Sequence, residues 1–177
     1  MPNYRRNRVP GGTYFFTVNL LDRRSARLTE GIVLLREAIR TTPARTPFHI
    51  DAWVVLSDHM HCIWTLPDGD VDFAGRWRSI KTAFSKAMRK TERRSRVMLH
   101  RGERGLWQRR YWEHTIRDDR DYEAHVDYVH FNPVRHGLVQ MPADWRFSSF
   151  HRWVAKGLYP PGWMGSDDEP TEAAERD

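Results

Sequence analysis

One cysteine, Cys62, stands in 177 residues, which excludes an internal disulfide and any zinc site built from several thiolates. A lone thiol suits a reducing compartment, so the cytoplasm is the expected location. Long apolar runs are also lacking. Nothing approaches the roughly 20 residues of a membrane-spanning helix, and the chain starts with Arg5, Arg6 and Arg8 rather than an apolar leader. Acidic residues are scarce over one long stretch: between positions 76 and 110, thirteen Lys and Arg meet only Glu92 and Glu103, whereas residues 166–177 carry six acids against Arg176.

What is present suffices for a folded protein. With 40% hydrophobic and 12% aromatic residues, the chain has the material for a core that disordered sequences lack. Its length predicts one domain, residues 1–165, followed by an acidic, disordered tail at 166–177. In the basic stretch Arg outnumbers Lys ten to three, which favours phosphate, because guanidinium forks match its oxygens. The interleaved Trp77, Phe84 and Trp107 would offer rings on which bases stack. Nucleic acid is therefore the leading partner, with Arg76, Arg78, Lys81, Lys86, Arg109 and Arg110 as contacts and Arg5, Arg6 and Arg8 as an arm. The competing reading of such a run is a solvated helix face and a loop.

Residues 13–19, TYFFTVN, follow a Pro-Gly-Gly turn signal and read as a strand. Ile32, Leu35 and Ile39 recur at helical spacing, predicting a helix from about Glu30 to Arg40. HIDAWVVL and HMHCIWTL, joined by Ser57-Asp58, form an antiparallel hairpin. Trp77, Ile80, Phe84 and Met88 predict a second helix over residues 73–90, followed by a loop, RKTERRSR. LWQRRYWEHTIR reads as a strand, and Asp118 or Asp119 can cap a helix from about Arg120 to Phe131, which Asn132-Pro133 should end. The order predicts an α+β fold, helices packed on an antiparallel sheet.

The chemistry lies in two segments. In Asp58-His59-Met60-His61-Cys62, strand alternation sends His59 and His61 to one face, where two imidazoles can converge on one metal, and sends Met60 and Cys62 to the core. With nine histidines in the chain, such a pair alone says little. In Asp127-Tyr128-Val129-His130-Phe131-Asn132, Tyr128 and Asn132 share a helix face, offering a phenol nucleophile beside an amide oxygen able to complete the metal site. His114, His125, His130 and His136 are kept out of the metal set. Asp118, Asp119 and Asp121 are better explained by capping than as a carboxylate cluster. Trp107, Trp112, Trp145 and Trp153 belong to the core rather than to base platforms.

Taken together, RRNRVPGGTYFFTVNL, AWVVLSDHMHCIWTLP, IKTAFSKAM, LWQRRYWEHTIRDDRDYEAHVDYVHFNPVRHGLV and WRFSSF resemble the single-tyrosine HUH transposases, specifically the REP-associated tyrosine transposases. The resemblance implies a ferredoxin-like sheet with the tyrosine on a C-terminal helix. His59, Met60 and His61 stand at the family's His-hydrophobe-His motif, Tyr128 at its nucleophile, and Asn132 at its third metal ligand. It implies a divalent-ion-dependent enzyme, without a nucleotide cofactor, that cleaves and rejoins hairpin-forming single-stranded DNA through a 5′-phosphotyrosine intermediate, and it leans towards a monomer, with the dimer of the wider transposase group as the alternative. Two imidazoles and a neutral oxygen leave octahedral positions open to phosphate, which suits Mg²⁺ or Mn²⁺ better than structural zinc. A free tyrosine has a pKa near 10, so about one in a thousand is phenolate at pH 7, and the site must favour that form or take its proton. The alternatives are a non-catalytic RRM-like nucleic-acid binder and a nuclease in which water attacks.

Overall fold

The computed structural model describes residues 7–42 and 46–166. Arg5, Arg6 and all of the expected tail except Ser166 lie outside them. The elements are β1 (Thr13–Asn19), α1 (Arg27–Glu30), α2 (Ile32–Thr41), β2 (His49–Val55), β3 (His59–Thr65), α3 (Phe73–Ala87), α4 (Arg96–His100), β4 (Trp112–Thr115), α5 (Asp119–Arg135), a 3-10 turn (Pro142–Asp144) and α6 (Phe150–Ala155). The four strands pair antiparallel in the order β2-β3-β1-β4. The chain thus runs strand-helix-strand, strand-helix-strand, the split arrangement of the ferredoxin-like fold, with a further long helix added.

Alternation along the strands divides the core in two. Tyr14, Phe16 and Val18 of β1 and Met60, Cys62 and Trp64 of β3 face α2 and α3, which contribute Leu35, Trp77, Ile80 and Phe84. Phe15 and Ile63 project the other way, with Val54 of β2, onto Val126, Tyr128 and Val129 of α5. The sheet is therefore covered on both faces, and α5 packs against β2 and β3 on the face that carries His59 and His61, joined there by Trp145 and by Trp153 of α6.

Several boundaries depart from the sequence reading. The expected strand through residues 106–117 narrows to Trp112–Thr115, with Trp107 bridging only to Leu20. The loop after α3 leads into the short helix α4, which Ser95 caps by accepting from Met98 N. The last long helix does not stop at Asn132-Pro133 but reaches Arg135. There Gly137, at φ 66°, lets Leu138 N donate to Pro133 O and Gly137 N to Val134 O, a Schellman closure. Pro133 sits within the final turn, where it removes one amide donor just before the helix would end anyway.

Candidate active site

β3 supplies the two histidines and β1 supports them. His61 lies opposite Thr17 in the antiparallel register and His59 opposite Asn19. Both rings are buried and stand 5.1 Å apart between centroids, nearly perpendicular. His59 Nδ1 is 2.8 Å from Asp58 Oδ1, and Asp58 is in turn held by Arg23 Nε at 2.7 Å. Since the carboxylate accepts, Nδ1 of His59 is the donor, and Nε2 is buried with no hydrogen-bond partner among the described residues. His61 Nδ1 is 2.9 Å from Thr17 Oγ1, a contact that likewise favours presenting Nε2. Burial, then the neighbouring His59, His136 and Arg23, holds the His61 imidazole well below its usual pKa, so it is neutral and able to ligate. Burial pushes the Asp58 carboxyl up, but the hydrogen bond to His59 and the charges of His59 and Arg23 outweigh it, leaving it below the ordinary range.

α5 brings the other half. Tyr128 is buried, with its ring 5.3 Å from that of His61 and 5.8 Å from Phe15, edge-on to both. Asn132, one turn later, is also fully buried. β3 and α5 thus bring the Tyr128 ring beside the paired imidazoles, with Asn132 buried one helical turn further along α5. An orphaned buried imidazole nitrogen, a neutral second imidazole and a buried amide fit a divalent cation. Three neighbours have no part in the site as read from the sequence, where Asp58 stands in the motif and His136 is kept out of the metal set. Asp58 is written next to His59 in the motif, Arg135 places its guanidinium 5.6 Å above the Tyr128 ring, and His136 stands 5.1 Å from His59. Arg135 and His136 follow Tyr128 by seven and eight positions, and only the continuation of the helix past Pro133 carries them back to the site.

Other candidates are corrected. Arg76 is buried, its guanidinium bonded to Asp70 at 2.6 Å and to the carbonyls of Thr46, Pro47 and Asp72. It is a structural ion pair rather than a nucleic-acid contact. Trp77 and Phe84 are core residues and offer no stacking surface. Asp118 caps α5 by accepting from Asp121 N, as expected, but Asp121 does something else: its carboxylate lies 2.8 Å from His114 Nε2 and 3.1 Å from His125 Nδ1. His130 bonds Ser149 Oγ. Arg8, Arg78, Lys86, Arg109 and Arg110 are exposed. Lys81 is half-buried, donating to Gln108 O beside the rings of Trp107 and Tyr111. Arg78, Lys81, Lys86 and Arg109 line one groove of about 1040 Å³ beside α3, on the sheet face away from Tyr128.

A family model described as "Transposase IS200 like" matches residues 13–132. A REP-associated tyrosine transposase of Escherichia coli K12 is 52% identical over 165 residues, covering 93% of this chain and 92% of that protein. A putative REP-associated tyrosine transposase of Haemophilus influenzae is 43% identical over 169 residues, 95% of this chain and 96% of that one. Among solved structures, a REP-associated tyrosine transposase bound to a REP hairpin superimposes with a TM-score of 0.85 at 50% identity, over 100% of this chain and 99% of the other. No helix of the described residues is long and apolar enough to cross a membrane.

Proposed function

The chain belongs to the IS200-like transposases, and from that premise we propose that it cleaves and rejoins hairpin-forming, single-stranded repeat DNA with Tyr128 as nucleophile. The observation that carries the reading is the Tyr128 ring 5.3 Å from that of His61, which stands 5.1 Å from His59; Asn132, buried one turn along the same helix, is assigned as the third ligand. His59, His61 and Asn132 would hold a divalent cation, Mg²⁺ or Mn²⁺, which when bound supplies a Lewis acid for the non-bridging oxygens of the scissile phosphate.

The phenol oxygen of Tyr128 attacks phosphorus. An O–P bond forms, the bond from phosphorus to the 3′ oxygen breaks, and the products are a 5′-phosphotyrosine and a free 3′-hydroxyl, which takes up a proton as the phenol loses its own. Because the adduct preserves a phosphodiester linkage, attack by another 3′-hydroxyl reverses the step and joins strands without a nucleotide cofactor. Arg135, above the phenol ring, favours the developing phenolate electrostatically. Asp58 keeps the His59 proton on Nδ1 and so keeps Nε2 directed to ligation. For the DNA, the cations lining the groove beside α3, with exposed Arg8 and Arg110, are the contacts that survive folding. The close relative bound to a REP hairpin supports this substrate class.

The deciding experiment incubates labelled hairpin DNA with full-length protein and Mn²⁺ and resolves the products under denaturing conditions. A covalent protein-DNA band that vanishes in Tyr128→Phe is expected. Cutting that persists in Tyr128→Phe would transfer the attack to water. Binding without any cut or adduct in the wild type would leave a nucleic-acid-binding module.

A further inference from the structure

A second cluster of ligand-type side chains lies outside the site above. His114 comes from β4, opposite Phe15 in the register, while Asp121 and His125 come from the first two turns of α5, four residues apart and so on one helix face. One candidate ligand atom from each residue falls within 4.8 Å of the other two. The side chains are 6%, 9% and 1% exposed, and the two imidazoles stack at 4.6 Å and 12°. His125 Nε2 is buried with no hydrogen-bond partner among the described residues, so the polar contacts of that ring run through Nδ1, which lies 2.8 Å from the Asp121 backbone O and 3.1 Å from Asp121 Oδ1, and an ion there would take the place of the backbone bond.

We propose that His114, Asp121 and His125 form a second divalent-cation site, of the zinc class and structural in role, which ties β4 to the start of α5. Two imidazoles and one carboxylate are a donor set for Zn²⁺ and its first-row neighbours. Ligands about 2.0–2.1 Å from a tetrahedral ion lie about 3.3 Å from one another. The observed separations of 2.8 and 3.1 Å from Asp121 to the two histidines need only a few tenths of an ångström of expansion for an ion to replace the shared protons. Asp121 is already oriented by a hydrogen bond from Arg117 N at 2.9 Å, the kind of outer support that ligating carboxylates carry. This cluster is separate from the catalytic set, because the Phe15 ring stands 4.8 Å from His125 and 5.6 Å from His61, between the two. Paired catalytic ions sit about 3.5–4 Å apart, so an ion here acts on the helix that carries Tyr128 and not on the phosphate.

The test uses full-length protein stripped with chelator, with the first site removed as His59→Ala/His61→Ala. Zn²⁺ is added in small excess, free ion is removed on a desalting column, and bound zinc is measured by atomic emission alongside thermal unfolding. The variant is expected to retain about one Zn²⁺ per chain. In a parallel sample kept in Zn²⁺ at about a hundredfold above the Kd, the variant's Tm should rise by roughly 5 °C. Adding Asp121→Asn or, separately, His125→Gln should abolish both signals, and circular dichroism checks that each variant folds. A folded His59→Ala/His61→Ala variant that retains no zinc and shows no Tm shift overturns the proposal and leaves a proton-bridged clamp. Zinc retention indifferent to both cluster substitutions overturns it as well, and assigns the metal to surface histidines. Should Asp121→Asn fail to fold, His125→Gln and the retention of zinc by the double variant still decide.

Discussion

Asp58 acts on the proposed metal site through His59. Its carboxylate fixes which nitrogen of His59 bears the proton, and it is held in turn by Arg23. Asp58→Asn should weaken activating-metal affinity by about 10–100-fold, measured as the Mn²⁺ concentration giving half-maximal cleavage, with little change in fold. Phe15 is the apolar counterpart, fully buried against the rings of His61, His125 and Tyr128. Phe15→Ala should cost about 3–5 kcal/mol in denaturant unfolding, since it leaves a ring-sized cavity under the active site. Spacing shows that His59 and His61 share a strand face and that Tyr128 and Asn132 share a helix face; joining the two pairs into one site is what the family resemblance implies. Asp121 is not legible in the same way. Its partner His114 lies on a strand, and only the packing of α5 on the sheet brings them together.

At the scale of elements, β1 and the β2-β3 hairpin follow from β-branched and aromatic runs with a two-residue joint. α4 and α6 are short segments whose local pattern is too brief to distinguish from loop. The charge run over 76–110 predicts cations but not their fates. Arg76 turns inward to Asp70, and Arg104 joins Glu92 and the carbonyls of Met88 and Arg89, while Arg78 and Lys86 stay in solvent. Glu92 holds Arg104 and Arg27 together and thereby pins the segment after α3 to α1. The hydrogen bond from Arg104 is the main cause of a carboxyl held well below its ordinary 4.5. The sign follows from that depression. The stabilisation is complete above pH 4.5 and drains away as pH falls below it, because the unfolded chain takes up the proton first. Glu92→Gln should therefore lower the Tm at pH 7 and flatten its decline below pH 4.5, as followed by thermal melts across pH.

For the whole molecule, buried imidazoles govern the response to acid. Burial, reinforced by the charge of Arg152, lowers His130 to about 3, and burial also lowers His125 and His61. As pH falls below about 6.5 the unfolded chain binds protons that the folded chain refuses, so stability is full above that pH and declines beneath it. Each such histidine contributes a slope of up to about 1.4 kcal/mol per pH unit. Denaturant titrations from pH 7 to pH 4 should show the decline, and His130→Gln, which keeps a polar group for Ser149, should make it shallower.

Tyr128 reaches His61 only after α5 has docked on a sheet whose outer strand, β4, is itself laid down against β1. On a ribosome, β3 emerges more than fifty residues before that helix, so a nascent chain makes its paired histidines well before Tyr128 is added. On the proposed mechanism, chains that end before Asp119 lack Tyr128 and form no covalent adduct with DNA, which a denaturing gel of such truncations checks.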